Sequence, residues 1–162
     1  MGFKGTLRPG LVQLRVLDLD ATLDFYKNIL GLNEVCRTDD GRVCLKGYDE
    51  FDHHSVTLRL ADEAGLDYVA FKVGSVEELE KMRGDVEAFG YKTDVVAANS
   101  DQPGFGTRHG LTISAGHRFE IYSEVEAASP APMIHNQDHC VAPPLCMKAH
   151  RMHHFLRQGP HI

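Results

Sequence analysis

The sequence predicts an α+β fold built from two tandem βαβββ modules. Three observations carry this expectation. One plan of segments occurs twice in the first 128 of 162 residues. In each copy the hydrophobic period falls from helical spacing to two. Each copy is about 60 residues long, too short to bury a sufficient core alone, so the two must share one.

The first copy opens with "LRVLDLDATLDFYKNILGL" (14–32) and the second with "FKVGSVEELEKMRGDVEAFGY" (71–91). Each begins with a short apolar strand ending in a basic residue and valine, Arg15-Val16 and Lys72-Val73. A polar cap follows, Asp18 or Asp20 in the first copy and Ser75 in the second, where Ser75 and Glu78 have capping-box spacing. Leu23, Phe25, Tyr26, Ile29 and Leu30 keep helical spacing, as do Val76, Leu79, Met82, Val86 and Phe89. Gly31 and Gly90 close the helices in the position where a left-handed residue ends one.

After the first helix, "LNEVCRTDDGRVCLKG" reads as strand, Asp40-Gly41 turn, strand, and "HSVTLRL" (54–60) as a further strand. After the second, "HGLTISAGHRFEIYS" (109–123) is strand, Ala115-Gly116 turn, strand. The modules divide near 1–62 and 63–128.

Composition bounds the function. Apolar residues are 43% and charged residues 25%, a globular profile. The net charge of −6 argues against generic nucleic-acid binding, which needs a basic face. No apolar run is long enough to cross a bilayer and residues 1–10 lack a signal-peptide core, so no membrane association and a cytoplasmic location are expected. Cys36, Cys44, Cys140 and Cys146 show no CxxC spacing and read as reduced thiols. The charge is uneven: residues 129–162 carry +2 and residues 1–128 carry −8. The same tail holds six of the ten histidines and five of the seven prolines, which sets it apart as a linker.

Two βαβββ modules side by side resemble the vicinal oxygen chelate superfamily, the fold of glyoxalase I, bleomycin-resistance proteins and extradiol dioxygenases. "RPGLVQLRVLDLDATLDFYKNILGL", "GRVCLKGYDEFDHHSVTLRLADEAGLDYVAFKV" and "SAGHRFEIYSE" are similar to the amino-terminal domain of the extradiol dioxygenases that cleave catechol beside its hydroxyls. The likeness runs from about Pro9 to Glu124 and resumes at "MKAHRMHHFL" (147–156).

In that family a histidine near the start of the first strand and a glutamate on the last strand hold the metal. Aligning Val16 with Val73 puts Leu11 opposite Tyr68 at the histidine place. Thr57 and Glu120 fall at the glutamate place. Leucine has no donor and neutral tyrosine is a poor ligand for Fe(II), so a lone carboxylate cannot complete a two-histidine, one-carboxylate triad. Glu120 is then read as a polar residue at a hollow's rim, or as the partner of Arg118 or another base. His53 and His54 read as a surface strand start, and His109 and His117 as exposed positions flanking the last hairpin. "SDQPGFGTRHG" (100–110) follows no nucleotide-binding pattern, and its Pro103, Gly104 and Gly106 read as a loop.

In the tail, the family pattern is a strand opening with an iron-ligating histidine after an aspartate. His154 falls on that position, His150 matches a non-ligand place, and His153 replaces the aspartate. A zinc site from His135, His139, Cys140 and Cys146 is a second reading, although Pro143-Pro144 interrupts it. A shifted reading frame across 133–146 is a third.

The resemblance implies Fe(II), O₂ and a catechol-type substrate opened to 2-hydroxymuconate semialdehyde, in aromatic hydrocarbon catabolism, by a homotetramer of full-length chains. It also implies that residues 129–162 are a linker and the first strand of a catalytic domain broken off after Ile162. The 162-residue chain alone is therefore expected to be inactive. A different class is a stand-alone two-module protein of the bleomycin-resistance type, whose acidic body and hollow suit a cationic or aromatic ligand. A third is an interaction-only half that packs against other subunits.

Overall fold

The computed structural model describes residues 5–129. The chain runs through β1 (Thr6–Val16), α1 (Leu19–Asp24), a π-helical turn at Phe25–Ile29, β2 (Asn33–Arg37), β3 (Val43–Lys46) and β4 (Val56–Leu60). It continues through β5 (Gly65–Val73), α2 (Val76–Ala88), β6 (Thr93–Val96), β7 (Arg108–Thr112) and β8 (Arg118–Tyr122). Each half is thus a strand, a helix and three strands. Residues 130–162, including His154, His135, His139, Cys140, Cys146, His150 and His153, lie outside the described residues.

The local signals act through identifiable bonds. Asp18 caps α1, its Oδ1 accepting from the Ala21 N–H at 2.9 Å. Ser75 caps α2, accepting from Glu78 N–H at 3.3 Å. The reciprocal half of the box is displaced, because Glu78 accepts from Gly74 N–H at 3.1 Å instead of from Ser75. At the other end of α2, Tyr91 N–H donates to Val86 O and Gly90 N–H to Glu87 O, with Gly90 at φ 107°. That double bond is the Schellman closure, and it needs glycine at the left-handed residue. The two hairpin turns are alike: Thr38 bonds Arg42 and Ile113 bonds His117 across loops whose last residues are Gly41 and Gly116.

The first helix departs from expectation. It is α-helical for six residues only, and a Leu30 N–H to Phe25 O bond closes a π turn. The wider turn breaks the helical stripe. Leu23 is buried, whereas Phe25, Ile29 and Leu30 stay about half exposed. The strand after α2 is a short edge strand, β6, with no strong alternation to announce it.

All eight strands form one continuous sheet in the order β2-β3-β4-β1-β5-β8-β7-β6. The halves join edge to edge through β1 and β5, which are antiparallel, while β1–β4 and β5–β8 are parallel. Val12 faces Val69, Leu11 faces Ala70 and Gln13 faces Tyr68. The shift that carries Leu11 onto Tyr68 also carries Val12 onto Val69 and Gln13 onto Ala70. The register is therefore symmetric about the Val12–Val69 pair, as a duplicated module demands.

Strand alternation then sorts the core. On the helix side, Leu23 packs with Val43, Leu45 and Leu58 under α1, and Leu79 with Val73, Leu111 and Ile121 under α2. On the opposite side, Leu11, Tyr68, Ala70, Phe105 and Tyr122 make a third cluster across the join.

Candidate functional site

The side of the sheet without helices is where the repeat places its four comparison positions. Gln13 faces Thr57 across β1–β4, and Ala70 faces Glu120 across β5–β8, so the same symmetry that pairs Leu11 with Tyr68 pairs Thr57 with Glu120. Leu11, Thr57, Tyr68 and Glu120 are all buried. Alternation from these register positions turns them to one face.

The loop between β6 and β7 fills that face. Gly104 N–H donates to Asn99 Oδ1 at 2.7 Å, and Asn99 itself sits at φ 54°. Gly104 at φ 80° lies so close to the His53 ring that a Cβ would crowd it. This turn delivers Gln102 and Phe105, both buried, into the hollow. Phe105 meets Tyr122 and His54 edge-on, with centroids 4.9 and 5.0 Å apart.

Gln102 uses all of its amide. Its Nε2 donates to Gln13 Oε1 at 2.7 Å and to the Tyr68 hydroxyl at 2.8 Å. Its Oε1 accepts from the Thr57 hydroxyl and from His54 Nε2, each at 2.8 Å. Because that oxygen can only accept, His54 carries its proton on Nε2. Its Nδ1 is then the acceptor for His53 Nδ1–H at 2.8 Å. Gln13 passes the chain on, donating to Asp67 Oδ2 at 2.8 Å, and Tyr68 donates to Asp101 Oδ2 at 3.1 Å.

The charges are closed as well. Arg108 is fully buried, its Nε 2.7 Å from Glu120 Oε2 and its Nη2 paired with Asp101. Arg118 reaches the other Glu120 oxygen, Nη2 to Oε1, at 3.2 Å. Burial opposes the Arg108 charge, but Asp101 and Glu120 outweigh it and hold its pKa above the ordinary arginine value. Burial pushes the Tyr68 hydroxyl up, with Glu120 and Asp101 adding to the shift, so it stays protonated. Burial pushes the His54 imidazole down to about 4, so it is neutral at pH 7.

Several expectations change. His54 is not at the surface; it is fully buried, and half-buried His53 packs against it. His109 is likewise buried on β7, and its Nε2 meets Glu80 Oε1 at 2.8 Å. Glu120 does pair with Arg118, and with a second base, Arg108, but it sits inside the hollow at 2% exposure instead of on a rim. The loop reading of 100–106 holds. Gln102, His54 and Arg108 went unrecognised as site residues; the one local signal was Phe105 between Gly104 and Gly106, an apolar anchor in a glycine turn.

These residues do not fit a non-haem iron. Such a site needs two imidazoles and an available carboxylate. Here the imidazole positions are Leu11 and Tyr68, and the one carboxylate is neutralised by two guanidinium groups. Among the described residues no group of three His, Cys, Asp or Glu side chains could hold a metal. Nor is any helix among them long and apolar enough to cross a membrane.

Residues 66–126 match the family model of the catechol 2,3-dioxygenase-like N-terminal domain. That stretch of the chain, from β5 to just past β8, is similar to the domain family. Metapyrocatechase of Pseudomonas sp. (strain CF600) is 41% identical over 123 residues, covering 76% of this chain and 40% of that protein. A manganese-dependent 2,3-dihydroxybiphenyl 1,2-dioxygenase of Geobacillus genomosp. 3 is 26% identical over 72% of this chain and 36% of its own. The crystal structure of the 2,3-dioxygenase LapB from Pseudomonas sp. KL28 superposes with a TM-score of 0.77 at 37% identity. That superposition covers 88% of this chain and 48% of LapB. The chain thus spans about two fifths of the curated relatives it matches. In the described residues that these likenesses cover, the hollow is packed shut by Gln102 and Phe105.

Proposed function

We propose that this domain serves an extradiol ring-cleaving dioxygenase as its non-catalytic half. The whole protein's chemistry is the insertion of both atoms of O₂ into a catechol-type diol at Fe(II), giving 2-hydroxymuconate semialdehyde from catechol. The observation that carries this reading is the filled hollow, where a duplicated architecture is kept while each compared position is put to packing, hydrogen bonding or ion pairing. The proposed division is a body at 1–128 and a linker with the first strand of a catalytic module at 129–162. In that module His154 is proposed as an iron ligand. Fe(II) is preferred over manganese on the resemblance to catechol-cleaving members. A homotetramer of full-length chains in the cytoplasm belongs to the same proposal.

A stand-alone ligand-binding role is less well supported. It requires an open hollow, and Gln102 and Phe105 occupy that space. The test is direct. The 162-residue chain is loaded anaerobically with Fe(II) and catechol, then exposed to air while the yellow ring-cleavage product is followed by absorbance. No sustained colour is expected, and multiple turnovers overturn the assignment of this domain as non-catalytic.

A further inference from the structure

We propose that Cys36 and Cys44 form a redox-active dithiol that closes into a cross-strand disulfide when the protein meets a hydroperoxide. The two residues are direct partners across the antiparallel β2–β3 pair. Direct partners have Cα atoms about 4.5–5.5 Å apart with side chains on one face. A disulfide needs a Cα separation of about 4.4–6.8 Å. The backbone separation of such partners therefore falls in the range a disulfide spans, so closure asks for a local adjustment only. The strand that must adjust is also the freer one. β2 is at the sheet edge and its register already shifts between Glu34 and Cys36, whereas β3 is held on both sides by β2 and β4.

Their access differs in the way a two-step oxidation requires. Cys36 is partly exposed and Cys44 is sealed. Cys44 also faces Thr57 on β4. Burial, followed by the neighbouring Cys36 thiol, pushes the Cys44 pKa up, which keeps it from reacting first. A hydroperoxide would thus meet Cys36, transferring one oxygen to its sulfur to give Cys36–SOH with release of water or alcohol. The Cys44 sulfur then attacks the Cys36 sulfur. The S–S bond forms, the S–O bond breaks, and hydroxide leaves as water with the Cys44 proton. Two thiols lose two electrons in all, and the peroxide O–O bond takes them.

The test uses the full chain under native conditions with hydrogen peroxide, alkylation of remaining thiols, and trypsin. Cleavage after Arg37 and Arg42 separates peptides 28–37 and 43–46, so a link between them reports the disulfide. The linked pair is expected to rise several-fold on oxidation, to vanish with dithiothreitol, and to be absent in Cys36→Ser. In Cys44→Ser, dimedone should trap several-fold more Cys36 sulfenic acid than in wild type. Should Cys44→Ser fold poorly by circular dichroism, the linked peptide in wild type and its loss in Cys36→Ser still decide the matter. Sulfinic acid at Cys36 with Cys44 left as a free thiol overturns the proposal. So does a link from Cys36 to Cys140 or Cys146 in place of Cys44.

Discussion

Arg108 and Glu120 meet at 2.7 Å in the hollow of the sheet, both closed off from water. The carboxylate stands at the position the repeat compares with a metal ligand, and the guanidinium has taken its charge. Removing one partner of a buried ion pair leaves the other charge uncompensated, which costs about 3–5 kcal/mol. Arg108→Met should therefore lower unfolding stability toward that range, because it leaves Glu120 with Arg118 alone and takes the guanidinium from Asp101. Adding Glu120→Leu to it should recover part of the loss. Chemical denaturation of the single and double variants measures the coupling.

Gln102 holds four side chains drawn from three strands and the segment before β4, all distant from it in sequence. Gln102→Ala leaves His54, Thr57, Gln13 and Tyr68 each short of a partner. With about 1–3 kcal/mol for each buried group left unsatisfied, and some relaxation, a loss of about 3 kcal/mol or more is expected. Urea melts followed by circular dichroism give the value. A loss below about 1 kcal/mol would show that water replaces the amide readily.

Acid should weaken the fold before its carboxylates titrate. His54 has a folded pKa of about 4 against 6.5 unfolded. The unfolded chain therefore binds more protons in that window, and stability falls as pH drops from about 6.5 toward 4. Summed over the window the loss is on the order of 3 kcal/mol. His54→Gln keeps a donor for Gln102 without a titrating ring, and it should flatten that slope. Denaturation midpoints at several pH values test this. An equal slope in both proteins assigns the effect elsewhere.

Gly10 is needed for space. A Cβ there would collide with the hydroxyl of Tyr122, a fully buried residue. Gly10→Ala should destabilise by about 1–3 kcal/mol, as overpacking does. Tyr122→Phe removes the colliding oxygen and should relieve part of that cost. Thermal melts of the two single variants and the pair show whether the effects couple.

The modular plan was legible because it rests on local signals. Asp18, Ser75, Gly41, Gly90 and Gly116 act on residues within a few positions, and the duplication made each a check on the other. Comparison of Leu11 with Tyr68 and Thr57 with Glu120 needed only the repeat, and the sheet register agrees with it. The filling of the hollow was not legible. Gln102 reaches His54, Thr57, Tyr68 and Gln13 only because a loop folds over β1, β4 and β5, and no sequence spacing encodes that reach. Histidine is ordinarily half-exposed, so burial of His54 and His109 depended on partners supplied from elsewhere in the fold. The short first helix had a similar cause, since its apolar spacing gives no sign of a π turn at Phe25.

The central claim is that Glu120 belongs to an ion pair and not to a metal site. The measurement that tests it is the thermal unfolding midpoint with and without anaerobic Fe(II), for wild type and Glu120→Gln. A ligand that binds the folded hollow must raise the midpoint by mass action. The midpoint of wild type should stay where it is when Fe(II) is added, while Glu120→Gln should melt lower with and without the metal. An Fe(II)-dependent rise in wild type that Glu120→Gln abolishes would contradict the account.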